Sequence, residues 1–205
     1  MNREKQIRVC VLVSGGGTNL QALLDAEKSG ILKSGRICLV ASDRKNAYAL
    51  TRASTAGVQT RVFDRKELGG RAAFEKALID CLDRERIDII VLAGFLSILS
   101  SAFTDRYKDR IINVHPSLIP SFCGEGYWGL KVHEAALERG VKVTGATVHF
   151  VNEIPDGGRI IAQKAVEVLA GDTPEILQKR VMEQAEWVIL PRAVEKVCAE
   201  YSTEE

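Results

Sequence analysis

Residues 9–24 read VCVLVSGGGTNLQALL and decide the fold class of this 205-residue chain. The apolar run from Val9 to Val13 is typical of a short, fully buried parallel strand. Three consecutive glycines follow, and Leu20, Leu23 and Leu24 then recur with helical spacing. A strand that passes through a glycine-rich turn into a helix predicts the first unit of an α/β fold.

The same alternation continues through the first half of the chain. Further apolar runs, separated by segments with helical spacing, lie at Ile37–Ala41, Val58–Phe63, Ile87–Ala93 and Ile111–Val114. This order predicts a doubly wound, mainly parallel sheet of Rossmann-like type. Two later runs, Thr144–Val151 and Ile160–Leu169, predict an antiparallel extension of that sheet.

Two helices are predicted in the second half of the chain. A short one lies around residues 133–138. A long final helix is predicted to begin at Pro174, which follows Asp172 and Thr173. Its inner face is predicted to consist of Ile176, Leu177, Val181, Ala185, Val188 and Ile189.

The composition limits the classes of partner. The 28 lysines and arginines nearly cancel the 27 aspartates and glutamates, so no overall field favours nucleic acid or an anionic membrane. The apolar run Ile7–Val13 behind the charged start Met1–Lys5 is too short for a signal peptide. No stretch approaches the roughly 20 apolar residues of a membrane-spanning helix. We expect one cytoplasmic domain over residues 1–205 that binds small polar molecules.

The cysteines and histidines form no pattern typical of a metal site. The five cysteines are scattered without a C-x-x-C pair, which indicates reduced thiols. The three histidines are also dispersed, so we predict no metal. His149, inside an apolar run, is interpreted as a hydrogen-bonded sheet residue, and His133 as a structural polar contact in a helix.

The glycine-rich stretch Ser14–Asn19 is the first candidate for a ligand site. Consecutive glycines let the backbone approach an anion, and the free amides at a helix start favour phosphate. The stretch lacks a Walker lysine and departs from G-x-G-x-x-G at Leu20. It therefore favours a phosphomonoester over a nucleoside triphosphate or a dinucleotide. The alternative is a tight turn in which Thr18 or Asn19 only caps the helix.

The second candidate is the stretch Ile112–Leu118, at the carboxyl end of a predicted central strand. Open α/β sheets bind their ligands at this edge. Because side chains alternate along a strand, Asn113 and His115 project to the same side. An amide donor beside a protonated imidazole suits an oxyanion formed by attack on an acyl or formyl carbon. The alternative is that His115, before Pro116, only caps the strand.

The third candidate is Asp156, in the turn NEIPDGG between the two late β runs. Most Asp-Gly-Gly sequences are simple reverse turns. If the fold brought Asp156 beside His115, the carboxylate would favour imidazolium and raise the histidine pKa towards neutrality.

Five segments, taken in order, resemble the glycinamide ribonucleotide formyltransferase family of folate-dependent enzymes. They are VLVSGGGTNLQALL (Val11–Leu24), VLAGFLSILS (Val91–Ser100), NVHPSLIPSF (Asn113–Phe122), GATVHFV (Gly145–Val151) and DGGRIIAQ (Asp156–Gln163). The resemblance runs from Val9 to about Val194. It implies transfer of a formyl group from the co-substrate 10-formyltetrahydrofolate to the amine of glycinamide ribonucleotide, by a monomer or a weak homodimer.

The resemblance also implies roles for individual residues. The ribonucleotide side comprises Gly17, Thr18 and Asn19 at the phosphate and Glu186 at the sugar. The folate side comprises Arg71, Leu96, Ser97, Ile98, Leu99 and Asn113. The catalytic three are Asn113, His115 and Asp156. The chain up to about residue 100 would thus bind phosphate, and residues from about 101 would bind folate and carry catalysis.

Two features depart from the family. Ser97 stands where many members have an arginine, so any contact from a basic side chain is absent at that position. The stretch 121–130 is longer than in some relatives, and its glycines with Tyr127 and Trp128 predict either a mobile lid or a surface loop tied down by two aromatics.

Two other readings of the sequence are open. One is a different formyl-folate enzyme, such as a methionyl-tRNA formyltransferase, a sugar-nucleotide formyltransferase or a formyltetrahydrofolate hydrolase. The other is a non-catalytic module that binds a phosphorylated ligand through the glycine-rich stretch.

Overall fold

Seven strands form one sheet in the order β3-β2-β1-β4-β5-β6-β7 in a computed structural model that describes residues 6–203. The strands are β1 (Ile7–Val13), β2 (Gly35–Ser42), β3 (Gln59–Val62), β4 (Ile89–Leu92), β5 (Ile111–His115), β6 (Val143–Phe150) and β7 (Ile160–Glu167). Neighbouring strands from β3 to β5 are parallel, whereas the β5–β6 and β6–β7 pairs are antiparallel. The predicted parallel sheet with an antiparallel extension is confirmed. The charged start Met1–Lys5, which bears on the signal-peptide prediction, lies outside the described residues.

Helices cover both faces of the sheet. They are α1 (Thr18–Ser29), α2 (Tyr48–Thr55), α3 (Arg71–Arg84), α4 (Ser101–Arg106), α5 (Leu130–Arg139), α6 (Pro174–Val181) and α7 (Trp187–Thr203). Alternate residues of β1 show the two layers, because Val9 and Val11 pack with α1 and α7 while Cys10 and Leu12 pack with α3 and α4. Burial on both faces explains why the central strands are continuous apolar runs.

The predicted long final helix is confirmed, but it is not regular along its whole length. It starts as predicted, with Thr173 Oγ1 accepting from Ile176 N and Pro174 in the first turn. Residues Met182–Glu186 then form a π-helical turn between α6 and α7. We call this segment the π-turn.

The predicted inner face of this helix also needs correction at two positions. Leu177, Val181, Ala185 and Ile189 are buried, but Ile176 is 50% exposed and Val188 is only half-buried. Ile176 points about 100° away from Leu177 around the helix, and here that direction faces solvent. Beyond the π-turn, Leu190 and Val194 join the core instead.

Within residues 6–203, no helix combines the length and the apolar character needed to cross a membrane. The same residues contain no group of three or more histidine, cysteine, aspartate or glutamate side chains arranged to hold a metal ion. All five cysteines are free thiols.

Candidate active site

A cavity of about 810 Å³ opens at the carboxyl ends of β1, β4 and β5. The strand order reverses beside β1, which has β2 on one side and β4 on the other, and ligands of open α/β sheets bind at such a switch point. The walls come from the loops after these strands, from the turn that holds Asp156, from α5 and from the π-turn. The sequence predicted this edge of the sheet for the segment Ile112–Leu118.

Strand β5 brings Asn113 and His115 to the cavity. Both line it, as the alternation of side chains predicted. The antiparallel neighbour β6 places His149 opposite Asn113 and Thr147 opposite His115. The site is therefore built on two paired strands.

His115 has an acceptor at each ring nitrogen. Its Nδ1 lies 3.4 Å from Asp156 Oδ2, and its Nε2 lies 2.8 Å from the Phe122 carbonyl oxygen. Only a doubly protonated ring donates to both groups at once. The structure thus brings Asp156 to His115, which local reading of the sequence could not establish.

The expected rise in the pKa of His115 is wrong. Burial is the largest influence and lowers the pKa below its usual value, while the Asp156 carboxylate and the Phe122 carbonyl act in the opposite direction without outweighing it. A side chain that is 4% exposed loses most of the hydration that a charged ring requires. The neutral imidazole is therefore the resting form at neutral pH, with acceptors already placed for the charged form.

Asp156 is held in a left-handed turn with φ 55°, a conformation that aspartate tolerates better than most residues. The Gly124 N–H donates to its Oδ2 at 2.9 Å. A Cβ on Gly158 would lie 1.7 Å from the Phe150 carbonyl oxygen, so the second glycine of the motif lets the turn close onto β6. Burial raises the pKa of Asp156, but the adjoining His149 and His115 rings and the Gly124 amide outweigh it and hold the pKa below its usual value.

His149 belongs to this cluster, although its sequence context was interpreted as that of a sheet residue. Its Nδ1 lies 2.8 Å from the Phe150 carbonyl and so carries a proton. Its Nε2 lies 3.2 Å from Asn113 Nδ2 and 3.5 Å from Asp156 Oδ1. It is hydrogen-bonded within the sheet, as interpreted, and it also holds the Asn113 amide. Pairing of NVH with TVHF across the two strands is the signal that would have revealed it.

The glycine-rich turn after β1 leads directly into α1. Gly17 is the N-cap residue of α1 with φ 74°, and no side chain caps this helix end. The alternative in which Thr18 or Asn19 caps the helix is therefore wrong. The first amides of α1 stay available to an anion. Arg52 Nε donates to the Gly16 carbonyl at 2.9 Å and so ties the turn to α2.

Gly17→Ala is expected to damage both stability and anion binding. A Cβ on Gly17 would lie 2.6 Å from Ala49 Cβ and 2.8 Å from Ala49 Cα, so the turn or α2 must shift. Gly57→Ala is the matched control, because Gly57 has the same φ of 74° and no atom within 4 Å of an added Cβ. The control should lose about 1–2 kcal/mol of unfolding free energy from the left-handed backbone alone.

Urea unfolding and titration with a phosphomonoester measure the two effects. Gly17→Ala should lose more stability than Gly57→Ala, and it alone should bind the ester more weakly. Equal losses in the two variants, with unchanged binding, would show that the turn is not built around Gly17.

A hydrogen bond between Asn19 and Glu186 connects the glycine-rich turn after β1 to the π-turn. Asn19 Nδ2 donates to Glu186 Oε2 at 2.7 Å, and both residues line the cavity. Glu186 is 6% exposed. Burial raises its pKa to about 7, and the Asn19 hydrogen bond acts in the opposite direction. Thr18 lies at the edge of a separate groove between α1 and α7.

The residues predicted for the folate side are divided between the cavity and its support. Leu96 and Ile98 line the cavity. Leu99 packs in the core with α3 and α4, and Ser97 Oγ donates to Asp43 Oδ2 at 2.7 Å. Leu99 thus packs beneath the cavity wall that Leu96 and Ile98 form. The Ser97–Asp43 hydrogen bond connects the same wall to the loop after β2.

Arg71 stands at the start of α3, outside the cavity lining. Its Nε bonds Glu75 Oε1 at 3.2 Å, and the Glu75 carboxylate in turn accepts from the backbone N–H and the side-chain hydroxyl of Ser100. Arg71 is thus connected through Glu75 to Ser100, which follows the cavity-lining segment that contains Leu96 and Ile98.

Loop 121–130 forms one side of the cavity. Tyr127 and Trp128 line it while remaining 38% and 54% exposed. Phe122 packs edge-on against Tyr127, and Lys131 lies over the Trp128 ring. The loop is anchored by aromatic contacts and also reaches His115 and Asp156 through Phe122 and Gly124.

Comparisons with known proteins find similarity over most of the chain. The formyl transferase family profile matches residues 7–194. The phosphoribosylglycinamide formyltransferase of Escherichia coli (strain K12) is 40% identical over 188 residues, which cover 92% of this chain and 85% of that protein. The crystal structure of glycinamide ribonucleotide transformylase 1 from Symbiobacterium toebii has a TM-score of 0.88 and 42% identity, covering 95% of this chain and 89% of that chain.

Longer relatives match over only part of their length. The trifunctional purine biosynthetic protein adenosine-3 of Homo sapiens is 44% identical over 196 residues, which are 96% of this chain and 19% of that protein. The chain thus spans about a fifth of the length of such trifunctional relatives.

Proposed function

The chain belongs to the formyl transferase family, and from this premise we propose that it transfers the formyl group of 10-formyltetrahydrofolate to the amine of glycinamide ribonucleotide. The products are formylglycinamide ribonucleotide and tetrahydrofolate, and the reaction is a step of de novo purine synthesis. The observation that carries the proposal is the convergence of Asn113, His115 and Asp156 in one cavity, with Asn19 and Glu186 in the same walls.

Attack by the substrate amine comes first. The neutral amine nitrogen forms a bond to the formyl carbon, and the carbonyl electron pair moves onto oxygen. Asn113 Nδ2 donates one N–H to His149 Nε2 and keeps the other for this oxyanion. A fixed donor of this kind is worth about a hundredfold to a thousandfold in rate.

His115 then carries the proton. Since Nδ1 faces Asp156, Nε2 is the ring nitrogen left for substrate, and it must exchange the Phe122 carbonyl for the reacting atoms. The neutral ring accepts the proton that the attacking nitrogen loses, and Asp156 stabilises the resulting imidazolium. The imidazolium donates to the oxyanion and then protonates the departing folate nitrogen as the carbon–nitrogen bond breaks.

The remaining assignments belong to the same proposal. Gly17, Thr18 and Asn19 hold the phosphate, and Glu186 accepts from the ribose hydroxyls. Leu96 and Ile98 contact the pterin, with Ser97, Leu99 and Arg71 on the folate side. Residues 1–205 act as one cytoplasmic domain, as a monomer or weak homodimer, without a metal, a nucleic acid or a membrane partner. Within the domain, residues up to about 100 bind phosphate, and those from about 101 bind folate and carry catalysis.

An acceptor assay tests the proposal. With 10-formyltetrahydrofolate as donor, we expect tetrahydrofolate release to depend on glycinamide ribonucleotide and to match formylated product mole for mole. Release at the same rate in water alone would instead identify a hydrolase. Ligand-induced stabilisation without any turnover would identify a binding module. A sugar nucleotide and methionyl-tRNA serve as acceptor controls.

A further inference from the structure

His133 is a buried residue of the cavity wall that the mechanism above does not use. It projects from α5, lines the cavity and is fully buried. Neither Nδ1 nor Nε2 has a hydrogen-bond partner within residues 6–203. Buried polar atoms without a partner cost about 1–3 kcal/mol each, so a purely structural role is poorly served by histidine here.

The ring is a neutral hydrogen-bonding group. Burial, with a smaller contribution from the charge of His115, lowers the pKa of His133 to about 4. At neutral pH one ring nitrogen therefore offers an N–H and the other a lone pair. A polar, uncharged part of a ligand suits such a group better than a phosphate or a carboxylate does.

The position of α5 indicates which substrate meets the ring. Helix α5 packs against α6, and α6 leads into the π-turn, so that Gln178, Met182 and Glu186 line the cavity. Glu186 is bonded to Asn19 of the glycine-rich turn. Asn19 and Glu186 belong to the proposed ribonucleotide side, and Gln178 and Met182 line the cavity beside them, whereas Leu96 and Ile98 belong to the proposed folate side.

We propose that His133 is a positioning residue that hydrogen-bonds an uncharged polar group of the ribonucleotide substrate, in the part between its reactive amine and its sugar. The contact aligns the amine with the formyl carbon and gives a ring nitrogen of His133 the partner that the protein does not supply. This inference rests on the proposed function and names a further residue of the same site.

His133→Leu separates positioning from packing. We expect the KM for glycinamide ribonucleotide to rise about three- to tenfold, as loss of one neutral hydrogen bond implies, with the KM for 10-formyltetrahydrofolate unchanged. The melting temperature should stay equal or rise, because two unpartnered buried atoms are removed. His133→Gln keeps a donor and an acceptor and should restore most of the lost affinity.

Thr144→Val is the matched control. Thr144 Oγ1 is also buried without a hydrogen-bond partner within residues 6–203, but Thr144 lies outside the cavity lining. It should leave both KM values unchanged. Unchanged KM values in His133→Leu as well, or a rise in the KM for the folate alone, would overturn the proposal.

Ring-nitrogen NMR tests the contact in the wild-type protein, with a variant used only for assignment. The chain has three histidines, so histidine labelled with nitrogen-15 gives three imidazole patterns, and the His133→Gln spectrum assigns one of them. Glycinamide ribonucleotide alone should shift the His133 nitrogens, and a non-reactive folate analogue alone should not. No shift at saturating ribonucleotide would refute the proposal, whereas absence of formyl transfer by the wild-type protein would refute the proposed function and leave this test intact.

Discussion

Replacing Asp156 by asparagine is expected to lower kcat for formyl transfer about tenfold to a thousandfold. An opposite charge within about 4–6 Å favours the charged form of a group by about 1–3 pKa units, and Asp156 Oδ2 lies 3.4 Å from His115 Nδ1. Burial already lowers the pKa of His115. Without the carboxylate, the imidazolium that forms during the reaction loses its main support, so the loss falls on the chemical step rather than on binding.

Asp109→Asn is the matched control for this substitution. Asp109 has φ 57° and Asp156 has φ 55°, but Asp109 is exposed and does not line the cavity. Asparagine tolerates this backbone conformation at both positions. At position 156 its side-chain oxygen can still accept from the Gly124 amide. Pre-steady-state formyl transfer and circular dichroism measure rate and fold. Comparable rates in Asp156→Asn and Asp109→Asn would remove Asp156 from the catalytic group.

Glu186→Gln is expected to stabilise the protein at about pH 8 by about 1–3 kcal/mol while weakening ribonucleotide binding. Burial raises the pKa of Glu186 from 4.5 to about 7. The folded protein then holds this proton more tightly than the unfolded chain does. The stabilisation from the bound proton is full below about pH 4.5 and is lost as pH rises through about 7. A glutamine has no charge to bury, and its carbonyl can still accept from Asn19.

Urea unfolding at about pH 5 and about pH 8 tests the sign of this effect. The variant and the wild-type protein should differ much less at the lower pH than at the higher one. Glu183→Gln is the control, since Glu183 lies in the same π-turn but is exposed and should change stability by less than about 0.5 kcal/mol. A difference that is independent of pH would contradict the assignment of the buried carboxylate.

The parallel half of the fold was predictable because its strands are buried on both faces. Such strands, including the Ile111–His115 strand, are continuous apolar runs, and the segments between them have helical spacing. The π-turn was not predictable in the same way. The apolar residues around positions 182–186 fit the 3.6-residue period of an α-helix, and that period predicts a regular helix there. The structure instead has one wider turn, in which Glu186 is buried.

The site was predictable where a single strand determines it. Alternation along β5 is enough to give Asn113 and His115 a common direction. His149 and Asp156 depend on the register between β5 and β6 and on a left-handed turn after β6, and neither is a local property of the sequence. The prediction that the pKa of His115 is raised was wrong for a related reason. A motif indicates the neighbouring charge of Asp156, but it does not indicate how deeply His115 is buried.

The π-turn has a consequence for how the helix tolerates changes of length. A π-helical turn contains about one residue more than an α-helical turn, so deleting one residue between Met182 and Ala185 would let α6 and α7 merge into a regular helix. Because the wider turn already absorbs the extra residue, the residues on the two sides of the deletion would keep their relative orientation, and Gln178 would still face the cavity. A deletion of one residue inside α6 or α7 would instead rotate the two parts of the helix by about 100° relative to each other. The helix should therefore tolerate the loss of one residue within Met182–Glu186 far better than the same loss on either side of it.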